Sequence, residues 1–333
     1  MATLSVKNPT LLDLAKISDP DGKIASVVEL LNQTNEVLDD MTWMEGNLPT
    51  GHRTTMRTGL PGATWRAMYQ FVQPTKAQTV QVTDNTGMLE AYSEVDKALA
   101  DLNGNTSSFR LSEDMAQIES MNQEIAKTIF YGNEDSLPAS FTGLSPRFNS
   151  HTNAANAENV FNQGDSSNLQ SIWLVNWGPN TVHGIVPKGS TAGIQVKDLG
   201  EVTVEGVASG DQGGRFQAYR SHYRWDAGLS LRDWRYVVRI CNIDKASTST
   251  AQNKELLFNL FKAVNYIPQM GMGRPVWYMS RDMLVTLRQA VSERTLESTL
   301  TMENVGGAMI YSFMGIPLRR VDALAANETA VAA

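Results

Sequence analysis

Residues 43–82 read WMEGNLPTGHRTTMRTGLPGATWRAMYQFVQPTKAQTVQV, and this stretch decides the fold. Gly46, Pro49, Gly51, Gly59, Pro61, Gly62 and Pro74 punctuate it, and threonine recurs at positions 54, 55, 58, 64, 75 and 79. Glycine, proline and β-branched residues all oppose helix, so the segment is not helical. The flanks Ala67–Val72 and Thr79–Val82 predict strands. A structureless connection of this length is uncommon inside a compact domain. A long two-stranded hairpin reaching out from the body fits better, and an isolated hairpin is marginal in water. It therefore calls for a partner surface.

The charges point the same way. Arg53, Arg57, Arg66 and Lys76 stand in the segment against Glu45 and, just beyond, Asp84. The preceding arm, residues 1–40, carries Asp13, Asp19, Asp21, Glu29, Glu36, Asp39 and Asp40 against Lys7, Lys16 and Lys23. Two readings stay open: a basic finger that docks on acidic segments of another copy, or a solvated mixture of charges. Within the arm, Leu11–Leu14 and Lys23–Leu38 predict two short amphipathic pieces broken at Asp19-Pro20-Asp21-Gly22. Neither is long enough to be stable without a surface to lie on.

Beyond the hairpin, Met88–Leu102 is ambiguous between strand and helix. Ser112–Tyr131 predicts a long helix, with Ser112 as cap, Glu113 and Asp114 at its positive end, and Met115, Ile118, Met121, Ile125 and Ile129 forming one apolar stripe. Gly132 suits a left-handed C-cap. Residues 138–164 read as loop. Strands are expected at 172–175, 181–186, around Val202 and Val204, and at Trp234–Ile243. The last part turns to α/β: a helix at Asn253–Val264, a strand at Pro275–Met279, a helix at Arg281–Glu293 capped by Ser280, and a strand at Gly315–Val321. The Ala-rich tail after Leu324 is expected to fray.

At 333 residues the chain exceeds what one hydrophobic core usually fills. Hydrophobic residues at 42% and charged residues at 19% are those of a globular protein. A net charge of −7 argues against a bulk nucleic-acid binder. One cysteine, Cys241, excludes an intrachain disulfide and reads as a buried apolar thiol. Neither a signal peptide nor a membrane span is expected, and synthesis is expected in a reducing cytosol.

Enzyme motifs are missing. His52, His151, His183 and His222 are far apart in sequence, and none belongs to a His-x-His or His-Glu-x-x-His pair. In Pro187–Gly193 the lysine precedes the glycine, unlike a phosphate-binding loop, so a turn is expected. Neither catalytic residues, cofactor nor metal is predicted. Arg215–Arg239 interleaves six arginines with aromatics. That pattern allows single-stranded nucleic-acid stacking, but alternation favours a half-buried strand whose arginines pair with acids.

Ile129-Phe130-Tyr131-Gly132-Asn133 followed by Phe141-Thr142-Gly143-Leu144-Ser145-Pro146-Arg147 resembles a recurrent passage in tailed-bacteriophage major capsid proteins. Pro275–Ser280 leading into a helix, with Gly315–Leu318 later, resembles the closing elements of the same family. The order of parts matches over nearly the whole chain. The resemblance implies an α+β, HK97-like capsid fold: N-terminal arm 1–40, E-loop 41–90, peripheral domain 91–250 with spine helix 112–131 and a β-rich insertion, axial domain 251–314, and a final peripheral strand and tail 315–333. It further implies self-assembly into pentamers and hexamers of an icosahedral head enclosing double-stranded DNA. The partners implied are a separate scaffolding protein, a portal, a possible cement protein, and DNA held without sequence specificity. Some members lock the shell with a Lys–Asn bond. Here Lys76 is the candidate E-loop's only lysine and is read as near its base, so non-covalent stapling is expected. The intersubunit contact candidates are Trp43, Arg53, Met56, Arg57, Trp65 and Arg66. The alternatives are an encapsulin-like compartment, an α/β enzyme, and a single-strand nucleic-acid binder using 215–239.

Overall fold

The computed structural model describes residues 33, 35–102, 106–164, 168–205, 214–244, 250–292, 300–305, 308–324 and 327–332. Of the two amphipathic pieces expected in the arm, Leu11–Leu14 and residues 23–32 of Lys23–Leu38 lie outside them. In chain order the strands are β1 (Trp43–Glu45), β2 (Gly51–Gly59), β3 (Gln78–Asp96), β4 (Val160–Asn162), β5 (Leu169–Trp177), β6 (Val182–Val186), β7 (Gln195–Glu205), β8 (Arg215–Leu231), β9 (Val237–Asp244), β10 (Arg274–Met279), β11 (Leu300–Val305), β12 (Ala308–Phe313) and β13 (Ile316–Arg320). The helices are α1 (Val37–Asp40), α2 (Lys97–Ala100), α3 (Thr106–Tyr131), α4 (Leu144–Arg147), α5 (Thr250–Tyr266) and α6 (Arg281–Ser292).

One branched, mixed sheet runs β11-β12-β13-β10-β5-β6-β8-β3-β2, with β1 on β6, β7 on β8, and β9 joining β4 to β5. Its centre is β5, Leu169–Trp177, whose every residue is buried, including the polar Gln170, Ser171 and Asn176. Alternation sorts the side chains of this strand. Trp173, Val175 and Trp177 face the core under α3, where Met121, Ile125, Ile129 and Phe130 meet them. Ile172 and Leu174 face the opposite core, built with Leu256, Leu257 and Leu260 of α5 and Met283 and Leu287 of α6. The sheet is thus covered by helices on both sides. α1 is held down by buried Asp40, which accepts from the Tyr278 hydroxyl at 3.2 Å and from Arg319.

Several expectations need correcting. The long helix starts at Thr106, not Ser112, because Phe109 is buried against Val95, Leu99 and Ala100. Burying such a side chain contributes roughly 1.5–3 kcal/mol, more than a cap does. Gly132 is not left-handed. Glycine is needed there for close approach, since a Cβ would lie 2.4 Å from the Phe141 carbonyl oxygen. Trp234–Tyr236 is a 3-10 turn held by the Asp233 carboxylate, which accepts from the Arg235 amide at 3.1 Å, so that strand begins only at Val237. The ambiguous region resolves into the second half of β3, then α2 capped by Asp96, which accepts from the Ala98 amide at 2.8 Å. Ser280 does cap α6, accepting from the Met283 amide at 3.3 Å.

Residues 327–332 of the tail are not frayed. Glu328 bridges to Leu169, and its carboxylate accepts from Arg239 at 2.8 Å, Tyr131 at 2.6 Å and Ser171 at 2.5 Å. Arg239 also donates to the Phe148 carbonyl and lies over the Trp173 ring. Composition read the alanines and missed this buried charge pair.

Candidate assembly interface

A hairpin forms where the sequence asked for one. β2 pairs antiparallel with β3 from Gly51↔Asn85 out to Gly59↔Gln78. Eight residue steps at ~3.4 Å make this ladder about 27 Å long. β3 does not stop at the root: from Thr86↔Gly228 to Asp96↔Ala218 it continues as a partner of β8 in the body. Ala67–Val72, expected as a strand, is not one. Residues 60–77 cross the far end without a ladder, fixed by a turn in which the Gln70 amide donates to the Ala67 carbonyl, and by the Thr75 hydroxyl on the Gly62 carbonyl at 2.9 Å. Pro61 and Pro74 lack the amide hydrogens that pairing needs.

This far end is apolar and open. Trp65 is 101% exposed and Phe71 98%, and Leu60, Met68 and Tyr69 stand out in the same way. Sequence reading singled out Trp65 and Arg66 but missed Leu60, Met68, Tyr69 and Phe71. The available signal was an aromatic cluster between two prolines with no complementary strand. Arg53, Met56 and Arg57 lie on β2, the two exposed arginines on one face and half-buried Met56 on the other. Arg53 donates to the Thr83 hydroxyl at 3.2 Å. Trp43 does not join them. It is half-buried in the body on β1, its ring lying over Gly184, where an added Cβ would come within 2.6 Å of it. Lys76 lies beyond the outermost ladder pair, not near the base.

The root is a buried polar knot. Asp84 accepts from Arg147 at 2.8 Å and from the Ser230 hydroxyl at 2.9 Å. Arg232 contacts His52 Nε2 at 3.0 Å, and the His52 and His183 rings meet edge to face at 5.8 Å. Burial, then Arg232 and His52, push the His183 imidazole down to about 4, against a weaker upward pull from Asp84 and the Gly178 carbonyl. His52 is also lowered, first by burial and then by Arg232. These residues come from segments too far apart for any sequence motif to join them.

The Arg215–Arg239 cluster is accounted for by internal partners. Arg215 pairs with Glu205, Arg220 with Glu94, Arg224 with Asp226, Arg235 with Asp233 and Arg239 with Glu328. Arg232 bonds Asn180 and His52. Among the described residues no group of three or more His, Cys, Asp or Glu is placed to hold a metal, and no helix is long and apolar enough to cross a membrane. Cys241 is fully buried, as expected.

The family profile of Major capsid protein GP7 matches residues 19–332. The chain belongs to this family. The structure of bacteriophage Epsilon15 derived from electron cryomicroscopy and modelling is 34% identical, covers 100% of this chain and 99% of that one, and superposes with a TM-score of 0.78. The bacteriophage JBD30 capsid, at 11% identity over 89% of this chain and 93% of that one, reaches a TM-score of 0.45. The holo-SrpI encapsulin of Synechococcus elongatus, at 9% identity over 74% and 99%, reaches 0.43. No curated protein sequence matches. The fold is therefore the α+β, HK97-like capsid fold, and this capsid protein is a shell component of a phage head that assembles with copies of itself.

Proposed function

We propose that this capsid protein builds pentamers and hexamers by laying the hairpin of one copy on the body of the next. In this reading residues 41–90 are the E-loop, the arm precedes it, α3 is the spine of a peripheral domain spanning 91–250, residues 251–314 form the axial domain, and the last strand and tail return to the periphery. One observation carries the reading: the apolar end, residues 60–77, has no cover among the described residues. Exposed apolar patches of this kind mark interaction sites. Arg53, Met56, Arg57, Trp65 and Arg66 are the proposed contacts, with Trp43 bracing the base from inside the body. A scaffolding protein, a portal and a cement protein are the further partners, acting in the host cytoplasm during assembly. Packaged double-stranded DNA is enclosed without sequence readout, in keeping with the internal pairing of the 215–239 arginines.

The test replaces residues 60–77 by Asn-Gly, which suits a tight turn between Gly59 and Gln78. The expected product keeps its circular-dichroism spectrum and sediments as a single subunit where the parent chain forms rings and shells. Shells at parental yield, seen by electron microscopy, refute the reading.

A further inference from the structure

A groove opens in the body where β3 leaves the hairpin. Met88 and Leu89 form one wall, Ile125 and Glu124 of α3 the floor, and Leu137 and Phe141 the far wall. Its volume is about 130 Å³, close to the ~150 Å³ apolar cavity that admits benzene. Met88 and Leu137 at its lip are each 56% exposed, unusual for a pair of large apolar residues flanking one hollow. The groove is ready for one bulky apolar side chain.

The hairpin's own end does not fill it. The groove begins three residues past the root pair Gly51↔Asn85, whereas residues 60–77 sit beyond Gly59↔Gln78, a stiff ladder of about 27 Å away. A second copy of the same chain carries the fitting piece. From Gly46 to Thr83 the hairpin contains no Asp or Glu. Its Arg57, Arg66 and Lys76 form no ion pair among the described residues. One carboxylate, Glu124, lines the otherwise uncharged groove and can meet that basic hairpin. Glu124 is exposed in the groove's floor and likewise forms no ion pair among the described residues, and Glu134 and exposed Asp135 lie on the loop that closes it.

We infer that the hairpin end of one copy seats Trp65 in the Met88–Leu137 groove of an adjacent copy, with Arg66 facing Glu124. This deepens the proposed hairpin docking and rests on it. End and groove are different patches of one surface, so the contact runs head to tail, and repetition closes rings when the rotation permits.

The test uses exposed alanines, which leave Trp65, Leu137 and Met88 in place. Ala67→Cys on the hairpin and Ala139→Cys at the groove are combined in one chain, whose native Cys241 is buried. Particles assembled from it and oxidised are expected to give covalent pentamers and hexamers on denaturing gels. Ala67→Cys with Leu111→Cys, on an exposed part of α3 away from the groove, is expected to give single chains. Particles in which 67 links to 111, or to neither, overturn the groove assignment while leaving the hairpin reading to its own deletion test. If the double-cysteine chain fails to assemble, charge reversal decides. Arg66→Glu and Glu124→Arg are each expected to slow assembly about threefold per contact, and the double variant to recover. A double variant no faster than the slower single variant overturns the inference.

Discussion

Removing the Glu328 carboxylate is the most informative single change to the body of this protein. The Arg239 and Glu328 side chains are 3% and 6% exposed, and the carboxylate collects Arg239, Tyr131 and Ser171. In Glu328→Ala the guanidinium stays buried under Trp173 with its charge uncompensated, and two hydroxyls lose their acceptor. Breaking one side of such a pair costs about 3–5 kcal/mol. An unfolding entropy of roughly 2.1 cal/mol/K per residue turns 4 kcal/mol into a melting-point drop of about 6 °C for a chain this long. The assay is denaturant unfolding of unassembled subunits followed by tryptophan fluorescence, with Trp173 as a local reporter. Arg239→Met combined with Glu328→Leu removes both charges and is expected to recover most of the loss, because apolar replacement of a buried pair is often near neutral. The reasoning is refuted if Glu328→Ala unfolds within 0.5 kcal/mol of the parent, an ordinary surface effect, or if the double variant is as unstable as the single one.

Acid is expected to loosen the hairpin root. The folded His183 value, about 4, lies below its ordinary 6.5, so the unfolded chain takes up the proton first as pH falls. Stability from this group is intact above pH 6.5 and declines toward pH 4, by up to about 3 kcal/mol at 1.36 kcal/mol per unit; His183→Leu should flatten that part of a stability–pH curve measured by urea titration. Asp84→Ala strips the partner from Arg147 and Ser230 and is expected to cost about 2–4 kcal/mol, with faster amide exchange concentrated near Asn85; uniform exchange across the sheet would contradict its role at the root. Gly184→Ala drives a methyl into the Trp43 ring and is expected to destabilise by about 1–3 kcal/mol, read by thermal melting, with Trp43→Leu in the same chain relieving it.

What was legible in the sequence followed from periodicity and punctuation. Leu256, Leu257 and Leu260 announced α5, the Val/Ile/Trp run announced β5, and the glycines and prolines of 46–74 announced the hairpin. What stayed hidden depended on partners distant in sequence. Phe109 extends α3 because of Val95 and Leu99, and Asp233 turns Trp234–Tyr236 out of the strand. Glu328 reaches back to an arginine 89 residues earlier. Trp43 shares the composition of the hairpin but belongs to the body, since Gly184 leaves room for an indole there. The exposed aromatics at the hairpin's end were visible as residues, but the missing strand opposite them was not.

β3 has a mechanical consequence. Its backbone passes without a joint from the hairpin into the body's sheet beside β8, ladder-bonded to β2 on one stretch and to β8 on the next. A pull applied along the hairpin at Gly59 and Gln78, where the ladder ends, loads these ladders in shear, many amide bonds at once. If the hairpin docks on an adjacent copy as proposed, a load on one subunit passes to the next as tension in a continuous strand.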